Sequence, residues 1–161
     1  VRRRGLGFVV AFALVFGALQ LTLVRTRAPV AEWLVAAPAG WTLARLVPED
    51  RVTVTGTEVA STRVRLNILA GCEGTEVFFL LIAGVVALPA PWRTKLRGLL
   101  LGIPLAFALN QLRVLALYVT VRDFPAQFEL IHGFIAPTAL VACLAAFFWV
   151  WSTRAGPRVA R

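Results

Sequence analysis

Apolar residues along this chain gather into four runs, at about 6–24, 75–88, 98–121 and 133–151, separated by stretches that carry most of the charge. Each run approaches or exceeds the ~20 residues that an α-helix needs to cross the hydrocarbon core of a bilayer. The pattern therefore predicts four membrane-spanning helices. Trp92, Tyr118, Trp149 and Trp151 fall near the ends of the runs, where amphipathic rings favour the headgroup layer. Gly102, Pro104 and Pro137 lie inside them, which lipid tolerates when neighbouring groups satisfy the freed backbone. The second run stops at Pro89-Ala90-Pro91-Trp92, a sequence that disfavours continued helix.

One sizeable stretch, about 28–71, lies outside the runs. Its first half has Trp33, Leu34, Trp41, Leu43 and Leu46 interrupted by Pro38 and Gly40, and suits short interfacial helices. Its second half changes period. Val52, Val54 and Val59 flank a Gly56-Thr57 turn, and Val64, Leu66 and Ile68 alternate with Arg63, Arg65 and Asn67, the period of two that marks a β-hairpin. The expected fold is an all-α integral membrane protein. It is a four-helix transmembrane bundle, one domain over 1–161, with a small extracytoplasmic segment of interfacial helices and a β-hairpin between the first two spans. That segment is either a plain cap on the bundle or an edge for an extended peptide.

Composition removes the main alternative to a membrane protein. Hydrophobic residues make up 59% of the chain and charged ones 16%, with a mean hydropathy of +0.79, a bias that a soluble domain of this size has little reason to carry. The net charge of +9 sorts by topology. With the N-terminus inside, Arg2, Arg3, Arg4, Arg93, Lys95, Arg97, Arg154, Arg158 and Arg161 are cytoplasmic without a single acid among them. The acids Glu32, Glu49, Asp50, Glu58, Glu73, Glu76, Asp123 and Glu129 then lie outside or at the outer boundary. That asymmetry is the positive-inside pattern of a multi-pass membrane protein with both termini cytoplasmic. Nucleic-acid binding would need a basic patch with base-stacking aromatics, which is absent. The first run is longer than the apolar core of a secretory signal and lacks a clear small-residue cleavage pattern, so it is expected to stay as an anchor.

Chemistry is confined to a few residues. Cys72 sits between Gly71, Glu73 and Gly74 at the mouth of the second run, where backbone N–H groups of a starting helix favour a thiolate and glycines allow close approach of a ligand. Glu73 and Glu76 oppose that effect with negative charge. Arg113 lies inside the third run, where an ionisable side chain costs about 2.5 to 3.5 kcal/mol even on the lenient insertion scale. It therefore calls for a counter-group or a function, unless its long side chain snorkels the ~12 Å towards the outer end. Asn110, three residues earlier, shares its helical face and suits holding the guanidinium. His132 opens the fourth run and is the only histidine, hence the only imidazole available as a general base. One histidine and one available cysteine fall short of a metal site, and no cofactor is expected. The other cysteine, Cys143, lies about ten residues into the last run, roughly 15 Å deeper, so a redox pair with Cys72 is disfavoured and Cys143 is expected to be a small packing residue.

With Gly71-Cys72-Glu73-Gly74, Asn110-Gln111-Leu112-Arg113 and His132 in this order on successive runs, the chain resembles the exosortase/archaeosortase family of integral-membrane transpeptidases, in particular its compact forms such as exosortase H. The resemblance covers roughly 67–151; larger members have about eight spans. It implies substrates that are secreted proteins bearing a C-terminal signal made of a short motif, a membrane helix and a basic tail. It also implies a catalytic set of Cys72, Arg113 and His132, supported by Asn110, Gly71, Glu73 and Gly74, facing the outside of a bacterial inner membrane. Two other classes fit parts of the pattern. A non-enzymatic membrane subunit accounts for the spans but leaves Arg113 unexplained, and a membrane thiol oxidoreductase uses Cys72 but needs a second reachable thiol. The sequence carries no signal for oligomeric state.

Overall fold

The computed structural model describes residues 2–68 and 73–155. A first helix, α1 (Arg2–Val30), runs through a π-helical segment (Ala31–Ala36) into α2 (Ala37–Leu46). A 3-10 turn at Pro48–Asp50 leads to three short strands, β1 (Thr53–Thr55), β2 (Glu58–Ala60) and β3 (Arg65–Asn67). Then follow α3 (Thr75–Ala87), the long α4 (Trp92–Asp123), a 3-10 turn (Pro125–Gln127), and a last helical run. That run consists of α5 (Phe128–Leu130), a second π segment (Ile131–Ile135) and α6 (Ala136–Ala155).

Three helical stretches are long and apolar enough to cross a membrane: Gly5–Val24, Trp92–Asp123 and Pro125–Ala155. The second expected span is different. α3 has 13 residues, about 20 Å of rise against a ~30 Å hydrocarbon core. It is also the most enclosed of the four, packing on α1, α4 and α6. Its end is set by sequence: Pro89 forces Leu88 into extended backbone (φ −63°, ψ 131°), as the residue before a proline requires. The link to α4 is so short that the two helices form an αα-hairpin. Lys95 donates to the Val86 carbonyl, satisfying one of the orphaned acceptors at the α3 C-terminus.

Pro38 does not break the first helical run into short interfacial pieces, as the sequence suggests. The two π segments explain why. Each ends just before an Ala-Pro pair that opens the next α-helix, Ala37-Pro38 and Ala136-Pro137. A proline cannot donate to the carbonyl four residues back, and the π register instead sends Ala37 N–H to Glu32 O and Ala136 N–H to Ile131 O, five residues back. The helix widens by one residue and continues. Gly40 is buried inside α2, and a side chain there would collide with Val54 of β1. The glycine is a contact surface for the sheet.

The strands form an antiparallel meander in the order β1-β2-β3, so the expected hairpin carries a third strand. Val54, Val59 and Leu66 are paired across it on the half-buried or buried face, while Thr53, Thr55, Arg65 and Asn67 point outward, as the period of two dictates. Apolar burial then divides in two. One cluster, containing Val35, Ala39, Leu43, Val59, Val114 and Tyr118, joins the sheet and α2 to the last third of α4. The other, containing Leu81, Val85, Ala106, Leu140, Leu144 and Trp151, fills the space between α3, α4 and α6.

A buried acid fastens the first cluster. Asp50 has no exposed surface, accepts a hydrogen bond from the Tyr118 hydroxyl at 2.9 Å and another from Arg122 at 3.2 Å, and has Arg63 at 3.6 Å. Burial on its own pushes the Asp50 carboxyl upward, but the Tyr118 hydroxyl, the Arg122 guanidinium and the charge of Arg63 outweigh it and hold the carboxyl below its ordinary value. The sheet, the 3-10 turn and α4 are thus tied by one carboxylate.

Candidate active site

The buried stripe of α4 runs through Gly98, Gly102, Ala106, Asn110, Arg113, Val114, Leu117 and Tyr118, spacings of three and four that mark one helical face. Ala106 belongs to the cluster among α3, α4 and α6, and Val114 and Tyr118 to the cluster beneath the sheet. Asn110 and Arg113 therefore form a polar seam between two apolar cores. Arg113 is 9% exposed, so its side chain is enclosed at this level rather than extended into water by snorkelling. Among the described residues its Nε has no hydrogen-bond partner, and none of their carboxylates lies within ion-pair distance of it.

Across the seam stands the start of α3. Asn110 Nδ2 donates to the Glu73 backbone carbonyl at 3.0 Å, so Asn110 holds the cysteine motif rather than Arg113, the role expected of it. Gly74 takes a left-handed conformation (φ +71°), and a side chain at this position would fall on the Asn110 amide. The glycine is required twice, by its backbone angle and by the closeness of Asn110. Gly71 and Cys72 themselves lie outside the described residues; the chain re-enters at Glu73, one peptide bond from Cys72.

The Glu73 side chain is 1% exposed, and burial of a carboxylate calls for a partner. Its Oε1 lies 2.9 Å from Arg27 Nε, on the last turn of α1. The contact is an ion pair without aligned hydrogen-bond geometry, and neither carboxylate oxygen has a hydrogen bond among the described residues. Thr75 Oγ1 and Asn110 Oδ1 are likewise buried without one. An apolar groove of about 640 Å³ between α1, α3 and α4 begins beside Thr75 and is lined further on by Leu23, Phe79, Ile103 and Phe107.

His132 is half-buried and stacks on Phe128, with ring centroids 5.0 Å apart and planes within 6°. It sits in the second π segment, inside a continuous helical run rather than at the start of a helix as its sequence position suggests. The run containing it packs along α4. Isolated π turns often mark functional positions because the extra residue re-aims side chains. Cys143, expected to be a packing residue, is exposed on α6, and no group of metal-ligating side chains is found among the described residues.

Two further side chains join this region without a clear signal in the sequence. Gln111 turns away from the seam and donates from Nε2 to Leu34 O at 3.0 Å, the carbonyl that Pro38 four residues later cannot serve. Arg27 reads in sequence as one of the charges flanking the first run, and only the fold carries it to Glu73. The arrangement can therefore do three things. It fixes the backbone next to Cys72, buries a cation one helical turn from that fixing point, and keeps an imidazole on a neighbouring helix.

The model of the transmembrane exosortase family matches residues 3–149. No curated protein and no solved structure matches the chain.

Proposed function

The chain belongs to the transmembrane exosortase family, whose membership implies processing of C-terminal sorting signals and whose members are generally considered cysteine transpeptidases; from that premise we propose that Cys72 is the nucleophile of such a reaction. In this reading Cys72 Sγ attacks the scissile peptide carbonyl as its thiolate, the proton passing to His132. Arg113 stabilises the developing oxyanion. The C–N bond breaks, His132 returns the proton to the leaving amine, and the substrate's acyl group is left on sulfur as a thioester. An incoming amine or water then attacks that thioester, giving its proton to His132, and the C–S bond breaks to release the thiolate. The substrate is a secreted protein whose C-terminal signal combines a short motif, a membrane helix and a basic tail.

The observation that carries the reading is the hydrogen bond from Asn110 to the Glu73 carbonyl. It fastens the cysteine motif to the helix that bears Arg113, one turn away, although 37 residues separate the two partners. The short α3 supports a further point. With four spans, both termini cytoplasmic and the catalytic groups towards the outside, a helix of about 20 Å starts about 10 Å below the outer surface of a ~30 Å core. Arg113, ten residues before the end of α4, lies at a similar depth. The nucleophile in this account works just inside the membrane, at a level that buried Arg113 already shares.

The test is processing of a tagged signal-bearing protein by Cys72→Ala, Arg113→Ala and His132→Ala variants, normalised to abundance. Cleavage by Cys72→Ala at the normal rate would remove the covalent mechanism. A membrane-impermeant thiol reagent applied to intact cells carrying Cys143→Ser tests the sidedness: labelling of Cys72 is expected from outside, more slowly than that of a cysteine introduced in the extracytoplasmic segment.

A further inference from the structure

A nucleophilic cysteine followed directly by a glutamate has an electrostatic problem. Glu73 is covalently next to Cys72 and almost wholly enclosed, so little water screens its charge. Like charge nearby disfavours a thiolate, typically moving such a group by one to a few pH units. Charged or titratable groups from four elements enter the account of this site. Arg27 comes from α1, Glu76 from the first turn of α3, Arg113 from α4, and His132 with Glu129 from the last helical run. Of the described cations, only Arg27 lies within ion-pair distance of the Glu73 carboxylate, at 2.9 Å.

We propose that Arg27 is a positioning and charge-compensating residue of the cysteine site: its ion pair with Glu73 anchors the peptide next to Cys72 and cancels the field that would otherwise suppress the thiolate. The inference rests on the reading of Cys72 as the nucleophile. Glu73 and Arg27 form a neutral unit, so Arg113 can act on the sulfur or the oxyanion without being drawn to a rival carboxylate. Arg27 sits three residues before the end of α1, just ahead of the π segment that continues the helix. The pair ties α1 to the start of α3, the same two helices that pack along their length.

The experiment is the rate of Cys72 alkylation by iodoacetamide against pH, on the full chain in detergent with Cys143→Ser. Processing of the tagged substrate is followed in parallel. Glu73→Gln, which leaves the Arg27 charge uncompensated, is expected to move the alkylation midpoint down by about one unit, and Arg27→Gln to move it up by about one unit. The double variant is expected to return near the starting midpoint, and Arg27→Lys to keep it. Opposite signs that cancel in the double variant are a signature that loss of packing does not produce. If Arg27→Gln fails to accumulate, Glu73→Gln alone decides: an unmoved or raised midpoint overturns the proposal. If Cys72→Ala still processes substrate, the reading of the nucleophile fails instead, and the two failures are told apart.

Discussion

Replacing Gly74 by alanine probes the junction of the cysteine motif and α4 with the smallest possible side chain. Gly74 has φ +71°, a region that costs an ordinary residue roughly 1 to 2 kcal/mol. The added methyl would also land on the Asn110 side-chain amide, and overpacking of this kind costs typically ~1 to 3 kcal/mol. Together the strain is about 2 to 5 kcal/mol. The protein can relieve it by moving the Glu73–Gly74 backbone and breaking the Asn110 hydrogen bond, and recovering the working geometry then costs up to the same amount. At ~1.4 kcal/mol per factor of ten, even the low end of that range corresponds to a fall in processing of up to roughly 30-fold. Gly56→Ala is the internal control: it has φ +58° but nothing within 4 Å of the added methyl, so it carries only the backbone part, at a turn of the sheet. Substrate cleavage normalised to abundance, with thermal unfolding in detergent, reads both effects. Equal rates and equal stability for the two variants would refute the claim that Gly74 and Asn110 are fitted to each other.

Three more outcomes follow from the fold. Gln111→Leu removes the donor to the Leu34 carbonyl that Pro38 leaves unserved, and is expected to destabilise by about 0.5 to 1.5 kcal/mol, read as a lower midpoint of thermal unfolding in detergent. Tyr118→Phe deletes a hydrogen bond to a charged, enclosed acceptor, worth about 1.5 to 3 kcal/mol; the same assay should show it, with more rapid proteolysis of the sheet segment. The lowered Asp50 carboxyl gives a signed pH effect. Because its folded value lies below its unfolded one, its stabilising contribution is fully present above the ordinary carboxylate range, and it is lost as pH falls through the folded value. Unfolding temperature measured downward from neutral pH should drop in that acid window for the wild type and less steeply for Asp50→Asn.

The parts legible in the sequence are those set by local periodicity. The apolar runs give the three membrane-length helices, and alternation around Val54, Val59 and Leu66 gives the sheet and its buried face. Asn110, Arg113 and His132 stand out because polar and ionisable groups are expensive within apolar helices. What periodicity misses is long-range. The rescue of the Pro38 break depends on a glutamine 77 positions away from the carbonyl it serves, and the partner of Glu73 is an arginine on another helix. The alternation over 63–68 is visible in the sequence, but its pairing as a third strand on β2 is a long-range choice that periodicity does not state. The π segments are hidden for a different reason: Pro38 and Pro137 mark where the ladder loses a donor, but a proline alone does not say whether the backbone breaks, kinks or widens by one residue.

The most direct test of the central claim is to trap the covalent intermediate. Full-length protein is mixed with a labelled signal-bearing substrate, quenched in acid and digested, and the adduct is mapped by mass spectrometry. The account predicts an acyl group on Cys72 that neutral hydroxylamine releases, absent in Cys72→Ala. Cleavage without any adduct on Cys72, or an adduct that persists in Cys72→Ala, would contradict it.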